Sequence, residues 1–303
     1  MNFKLIVFCL ILFSQSYCQT DTISYESESL YEYSEDTNTV EGVFESTRII
    51  NGHSTHTLRK GVLDFRVEHK FGDIAGQNGG VQTMFGLDNS TDIRLGFEYG
   101  LTDKFMIGVG RSKGTGAPYR SLLDGFMKFR ILDQQKKGSP ISLALLGTTT
   151  YSYMKASNDL TQVNAFPNWE HRLSYCMQLV MARKIMDKFT IALSPTWVHR
   201  NYVSSTDQND LFAAGAAIRI PLNSKAGILF EHFQAFPKDG LRTEYTSSSS
   251  ISYDWVTFGH TFNVFLTNSS GFGEVQFIPY TIEKWGKGQF RIGFCIGRKF
   301  EKG

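Results

Sequence analysis

The sequence predicts an all-β chain, an antiparallel up-and-down transmembrane β-barrel of about 12 strands. Three observations predict it. Apolar and polar residues alternate from residue 62 to the C-terminus, a secretion signal precedes them, and the strand-like segments are joined by short turns and long polar loops in alternation. Period-two alternation puts successive side chains on opposite faces of an extended chain. An apolar face opposite a charged one, behind a secretion signal, matches a barrel with lipid outside and a polar lumen inside.

The N-terminus carries Lys4, the apolar run Leu5–Phe13 and the small and polar stretch Ser14–Gln19, the layout of a secretory signal peptide. Ser16 at −3 and Cys18 at −1 favour cleavage after Cys18, giving a signal over residues 1–18. Acylation of Cys18 as a lipoprotein is the competing reading, against which stands the bulky Tyr17. The apolar run falls short of the roughly 20 residues that cross a bilayer as a helix, so any spanning must be done by strands.

Residues 19–47 form an acidic leader holding Asp21, Glu26, Glu28, Glu32, Glu35, Asp36, Glu41 and Glu45, with no Lys or Arg before Arg48. Such a stretch reads first as disordered. A docking segment for a periplasmic partner, or a plug entering a cationic lumen, is the sharper alternative. Residues 48–61 read as a linker, or as a short strand over Val40–Ile50 ahead of the turn signal Asn51-Gly52.

The barrel is expected over residues 62–300. Val62–Phe71 sets the pattern, with Leu63, Phe65, Val67 and Phe71 on one face and Asp64, Arg66, Glu68 and Lys70 on the other. Further strands are expected near 91–99, 104–111, 122–131, 140–152, 170–182, 188–200, 210–220, 225–235, 253–267, 273–279 and 288–300. The weakest is 273–279, and without it the count drops to ten. Gly100–Asp103, Arg183–Asp187 and Pro221–Ser224 are short turns, whereas the connectors Gly72–Ser90, Asn158–Asn168 and Ala235–Ser252 are long and polar. In outer-membrane barrels the short turns are periplasmic. Trp169, Trp197, Trp255 and Trp285 are all expected at the long-loop rim, as interface aromatics. Phe300 ends the last strand, and a terminal aromatic of this kind suits recognition by barrel-assembly machinery.

The charged face supplies the candidate functional residues: Asp64, Arg66, Glu68, Lys70, Arg94, Glu98, Lys128, Arg130, Glu170, Arg172, Glu231 and Arg291 as lumen-lining groups. Rings of this kind tune selectivity in an open pore. They also cross-link into a salt-bridged network that fills a narrow barrel, and an occluded or narrow lumen is slightly favoured. No catalytic, cofactor-binding or metal site is expected. His53-Ser54 are adjacent residues in a linker, which does not present a serine to its base. His53 and His56 have H-x-x-H spacing but no third ligand nearby, and a solvated or hydrogen-bonded pair is expected. His260 shares a face with Phe258, Phe262 and Val264, which suggests a local bulge or a position in the aromatic belt. A net charge of +2, or +1 once Lys4 leaves with the signal, gives no support for nucleic-acid binding. Cys176 and Cys295 remain after cleavage, on strands expected to lie nearly opposite each other, too far apart to pair.

The stretch Thr47-Arg48-Ile49-Ile50-Asn51-Gly52-His53-Ser54, followed by Lys60-Gly61-Val62-Leu63-Asp64-Phe65-Arg66 and His69-Lys70-Phe71-Gly72-Asp73, resembles a known family. The pattern continues through Phe85–Asn89, Ile93–Gly100 and Ile107–Ser112, and returns at Gly259–Phe262, Thr267-Asn268 and Arg291–Phe294. The chain resembles, over roughly residues 44 to 300, the domain-of-unknown-function 5777 family of β-barrel proteins from Gram-negative bacteria. That resemblance implies a membrane barrel in contact with outer-membrane lipid; it brings no activity, substrate or site residues. The expectation is therefore an outer-membrane barrel that passes or binds small solutes. A structural or docking barrel and a soluble secreted lipid-binding barrel are the alternatives.

Overall fold

A computed structural model describes residues 38–114, 120–257 and 259–301. The signal peptide and the leader as far as residue 37 lie outside the described residues. Twelve antiparallel strands close into one barrel. They are β1 Leu63–Asp73, β2 Ser90–Thr102, β3 Phe105–Lys113, β4 Ser121–Leu132, β5 Ser142–Ser152 and β6 Leu173–Ile185, then β7 Phe189–Arg200, β8 Asp210–Pro221, β9 Ala226–Phe236, β10 Ser248–Thr257, β11 His260–Thr267 and β12 Arg291–Phe300. Each strand pairs with its sequence neighbours, and β1 closes the ring on β12 with Leu63 opposite Phe300. Closure leaves no open edge to the sheet, as a spanning structure requires.

The alternation resolves as expected. Outward-facing Leu95, Phe97, Val109, Met127, Phe129 and Leu193 are exposed, while the intervening Arg94, Glu98 and Lys128 are at most 1% exposed. A soluble lipid-binding barrel would have the opposite polarity, and that alternative is overturned. Both ends of the barrel sheet lie at the rim of the short turns, where β2 meets β3 and Leu63 meets Tyr99.

Twelve strands are present, but not the twelve that were expected. The segment 253–267 is two strands, β10 and β11, folded back at Gly259 in the left-handed region (φ 70°). The segment 273–279 is no strand: Glu274–Phe277 is a single α-helical turn, fully buried. The two errors cancel in the count. They also move Trp255. It pairs with Ala226 beside the short β8–β9 turn, so it lies at the opposite rim from Trp169, Trp197 and Trp285.

Residues 38–61, the described end of the leader and the linker after it, run as a hairpin inside the barrel. Val40 donates to Gln134 and Lys184 Nζ to the Glu41 carbonyl, both at the short-turn rim. Val43, Phe44, Ile49 and Ile50 pack on Ala182, Ala192, Leu229 and Phe265 of the wall. The chain reverses at Ile50-Asn51, with Arg48 bridged to His53, and returns to the same rim. There Gly61 N donates to Gly100 O at 2.8 Å. The approach is so close that a Cβ on Gly100 would collide with the Arg59 carbonyl. The turn signal Asn51-Gly52 therefore works as expected, but within a plug.

Candidate functional site: the plugged lumen

The strands place their charged positions in layers, and the plug brings its own groups to each layer. In the layer near the short turns, Arg48 of the plug lies 3.7 Å from both Glu68 and Glu98. Thr47 Oγ1 donates to Glu98 at 2.6 Å and accepts from Arg66 at 2.7 Å. Lys128 Nζ donates to the carbonyls of Thr47 and Ser54. Arg66 also stands 3.8 Å from Asp64.

Arg94 is clamped between carboxylates from two strands. It donates to Glu68 of β1 at 2.7 Å and, through Nε and Nη2, to both oxygens of Asp124 on β4. The guanidinium crosses β3 over Gly110, where a Cβ would meet it head-on. The sequence Gly108-Val109-Gly110 thus makes room for a bulky side chain and a buried charge; Phe126 fills the space over Gly108.

The hairpin tip is held from the other side of the barrel. Glu231 of β9 accepts from the backbone amides of Ile50 (3.2 Å), Asn51 (2.9 Å) and Gly52 (3.0 Å), and from the Asn51 side chain (3.1 Å). Three successive amides converging on one carboxylate make an anion-binding nest around a wall residue. Lys70 Nζ donates to Asn51 Oδ1 at 2.8 Å, while Asn51 Nδ2 reaches Ser250 Oγ at 2.9 Å.

A second insertion comes from the long-loop side. The β11–β12 connection folds inward so that Val275, Phe277 and Ile278 pack on Leu211, Phe233 and Val198. Lys70 also donates to the Gly271 carbonyl. The two insertions meet where His53 Nε2 lies 3.7 Å from Glu274 Oε1, with the His53 ring edge-on to Phe126 at 4.7 Å. Burial, then the charges of Arg48 and Lys128, hold the His53 imidazole well below its usual range. Burial likewise raises the Glu274 carboxyl. Each shift favours the neutral form, which suits a dry contact between plugs.

Beside Ser46, Arg48, Arg66, Asn263 and Cys295 there is a cavity of about 20 Å³, room for about one water. At the long-loop mouth Asp207 takes Arg200 through both oxygens and also Arg242, with Tyr245 and Tyr280 against the guanidinium groups. Burial raises the Asp207 carboxyl, but the two arginines more than offset it and hold it below the usual carboxylate range. A cavity of about 210 Å³ opens beside them, lined by Gln234, Arg242, Tyr245, Ser247 and Ile278.

Of the twelve expected lumen residues, Asp64, Arg66, Glu68, Lys70, Arg94, Glu98, Lys128, Glu231 and Arg291 are buried in the lumen. Arg130 sits at the short-turn rim, paired with Asp133 at 3.2 Å. Glu170 and Arg172 do not line the lumen: β6 begins at Leu173, and Trp169–Arg172 is a 3-10 turn in the loop, where Arg172 donates to the carbonyls of Ser152 and Met154. His53 is fully buried rather than solvated, and Ser54 Oγ donates to the Ser46 carbonyl, away from the imidazole. His260 needs no bulge. It stacks on Phe262 at the short-turn end of β11, within 2.8 Å of Arg298, and the register stays regular. Cys176 and Cys295 are free and face the lumen from β6 and β12, half the ring apart. Sequence reasoning missed Asp124, which shares a face with Lys128 and was legible, and Arg48 and Glu274, which were not.

The chain belongs to the family described as the membrane bound beta barrel domain (DUF5777), matched over residues 44–300. That match begins inside the plug, so the plug and the barrel fall within one family unit. None of the curated proteins shows significant similarity to the chain. Among solved structures it is similar to the NanC porin, with 9% identity and TM-score 0.46 over 79% of this chain and 99% of that one. The KdgM porin gives 10% identity and TM-score 0.47, with the same two shares. An outer-membrane channel from Pseudomonas putida F1 gives 16% identity and TM-score 0.45, over 81% of this chain and 98% of that one.

Proposed function

We propose, with a membrane-bound barrel of the outer-membrane type as the premise, that this protein is a narrow channel for small solutes closed by its own N-terminal plug. The observation that carries the proposal is the chemistry of the seam between plug and wall. Arg48, Thr47 and Asn51 meet Glu68, Glu98, Glu231 and Lys70 through ion pairs and hydrogen bonds. A filling needed only for stability is made more cheaply from apolar side chains, because burying charge carries a large desolvation penalty. A charged seam leaves a wettable, ion-lined passage once the plug moves. The cleaved signal and delivery by barrel-assembly machinery belong to the same proposal. So does a periplasmic partner that reads the acidic leader, since the leader runs directly into the plug along the chain. No catalytic step is proposed.

A structural or docking barrel with a permanently filled lumen is the second reading, favoured by the apolar packing of Val43, Phe44, Ile49 and Ile50. Planar-bilayer recording separates the two. Wild-type protein should be nearly silent, and a chain lacking residues 38–58 should conduct steadily. Glu231→Ala keeps the plug but removes its four bonds to the hairpin tip. A net loss of about 3 kcal/mol, ordinary for bonds to a charged acceptor, would raise the open fraction about a hundredfold. Silence from both variants, each shown to be folded by heat-modifiable migration, would establish the structural reading.

A further inference from the structure

The outer wall is apolar by alternation, so a cation on it needs an explanation. Arg111 and Lys113 project outward from the long-loop end of β3, and both are exposed. Arg111 pairs across the sheet with Leu95 and Leu123, which are 40% and 47% exposed, so its stem lies on the apolar band. Its guanidinium lies 5.6 Å from the ring centre of Tyr153, and Lys113 Nζ lies 5.9 Å from the same centre. Tyr153 is held at that height by its amide bond to the Ser121 carbonyl, and Ser121 pairs with Lys113. Two charges two residues apart are thus gathered toward one aromatic ring at the edge of the band, the geometry of side chains reaching from hydrocarbon to headgroup.

Among the described residues no carboxylate answers them. Asp92 and Asp124, the acids nearest in the ladder, face the lumen and are taken by Arg291 and Arg94. Among the described residues neither Arg111 nor Lys113 forms an ion pair. An arginine at this boundary with no protein counter-ion is suited to phosphate, which a guanidinium grips through two parallel bonds. We propose that Arg111, Lys113 and Tyr153 form a binding site for the phosphorylated headgroup of a membrane lipid in the leaflet that meets the long-loop rim. The site lies on the outer wall, so it stands whether or not the barrel conducts.

The test uses full-length protein in detergent, with bis-phosphorylated lipid A and its dephosphorylated form as probes and native mass spectrometry as the readout. Wild type should bind the phosphorylated form at least tenfold more tightly. The double variant Arg111→Gln/Lys113→Gln should lose that preference, and Lys113→Gln alone should lose part of it. Arg298→Gln, at the other rim, should keep it in full. Heat-modifiable migration shows that each variant is folded, and Lys113→Gln, at a strand end, carries the test if the double variant is not. Equal binding of the two lipids by wild type, or a preference untouched in both β3 variants, would overturn the site.

Discussion

Arg94 shows how one side chain ties sequence to assembly. Its guanidinium satisfies Glu68 and Asp124 together, and Gly96 and Gly110 leave it room. Removing one partner of a buried ion network is costly because the others stay buried and uncompensated, about 3–5 kcal/mol. Arg94→Met should therefore lower the temperature at which the barrel unfolds on a heated gel. Arg94→Met with Glu68→Gln and Asp124→Asn should recover part of that loss. A single variant as stable as wild type would mean that water or another cation compensates the two carboxylates. The reason for Gly110 was hidden at this scale. Period-two reading places Arg94, Asp124 and Lys128 on one face but cannot show which neighbour lies beneath the guanidinium.

The plug is the element on which sequence reasoning and structure part most clearly. The acidic leader drew attention to its carboxylates, yet the group that binds deepest in the carboxylate layer is Arg48, the first cation after them. Glu231 was legible as a lumen residue, but its ligands are backbone amides, which carry no sequence signal. The same limit hid the loop turn Glu274–Phe277, whose alternation over seven residues satisfies a strand template as well as a buried helix. Strands β1 to β9 were legible because alternate residues face lipid, and in most of them the opposite face carries polar groups; β8 turns mainly Leu211, Ala213 and Ala217 inward. Inserted segments meet protein on all sides, so their pattern loses its period. Plug placement can be measured directly in a background with Cys176 and Cys295 replaced by serine. Asn51→Cys should resist a membrane-impermeant thiol reagent from either side. Paired with Ser250→Cys, it should give an internal cross-link on mild oxidation, since the two native side chains are bonded at 2.9 Å. Rapid labelling of residue 51 would place the hairpin outside the lumen.

For the whole molecule, closure and an even strand number fix the arrangement of the connections. The barrel sheet starts and ends at the short-turn rim, and the connections after β1, β5, β9 and β11 are the long ones at the other rim. Outer-membrane barrels keep short turns in the periplasm and long loops outside. This orientation would put the mouth formed by Arg200, Asp207 and Arg242 at the cell surface and the plug's two ends in the periplasm. Single cysteines in the serine background decide it. At Asn78 and Asp239, both exposed in long loops, they should react with an impermeant maleimide on intact cells. At Asp103 and Asn223, exposed in short turns, they should react only after the outer membrane is opened. The reverse pattern would invert the barrel. The plug would then hang from the cell surface, out of reach of any periplasmic partner, and the lipid facing Arg111 and Lys113 would be that of the inner leaflet.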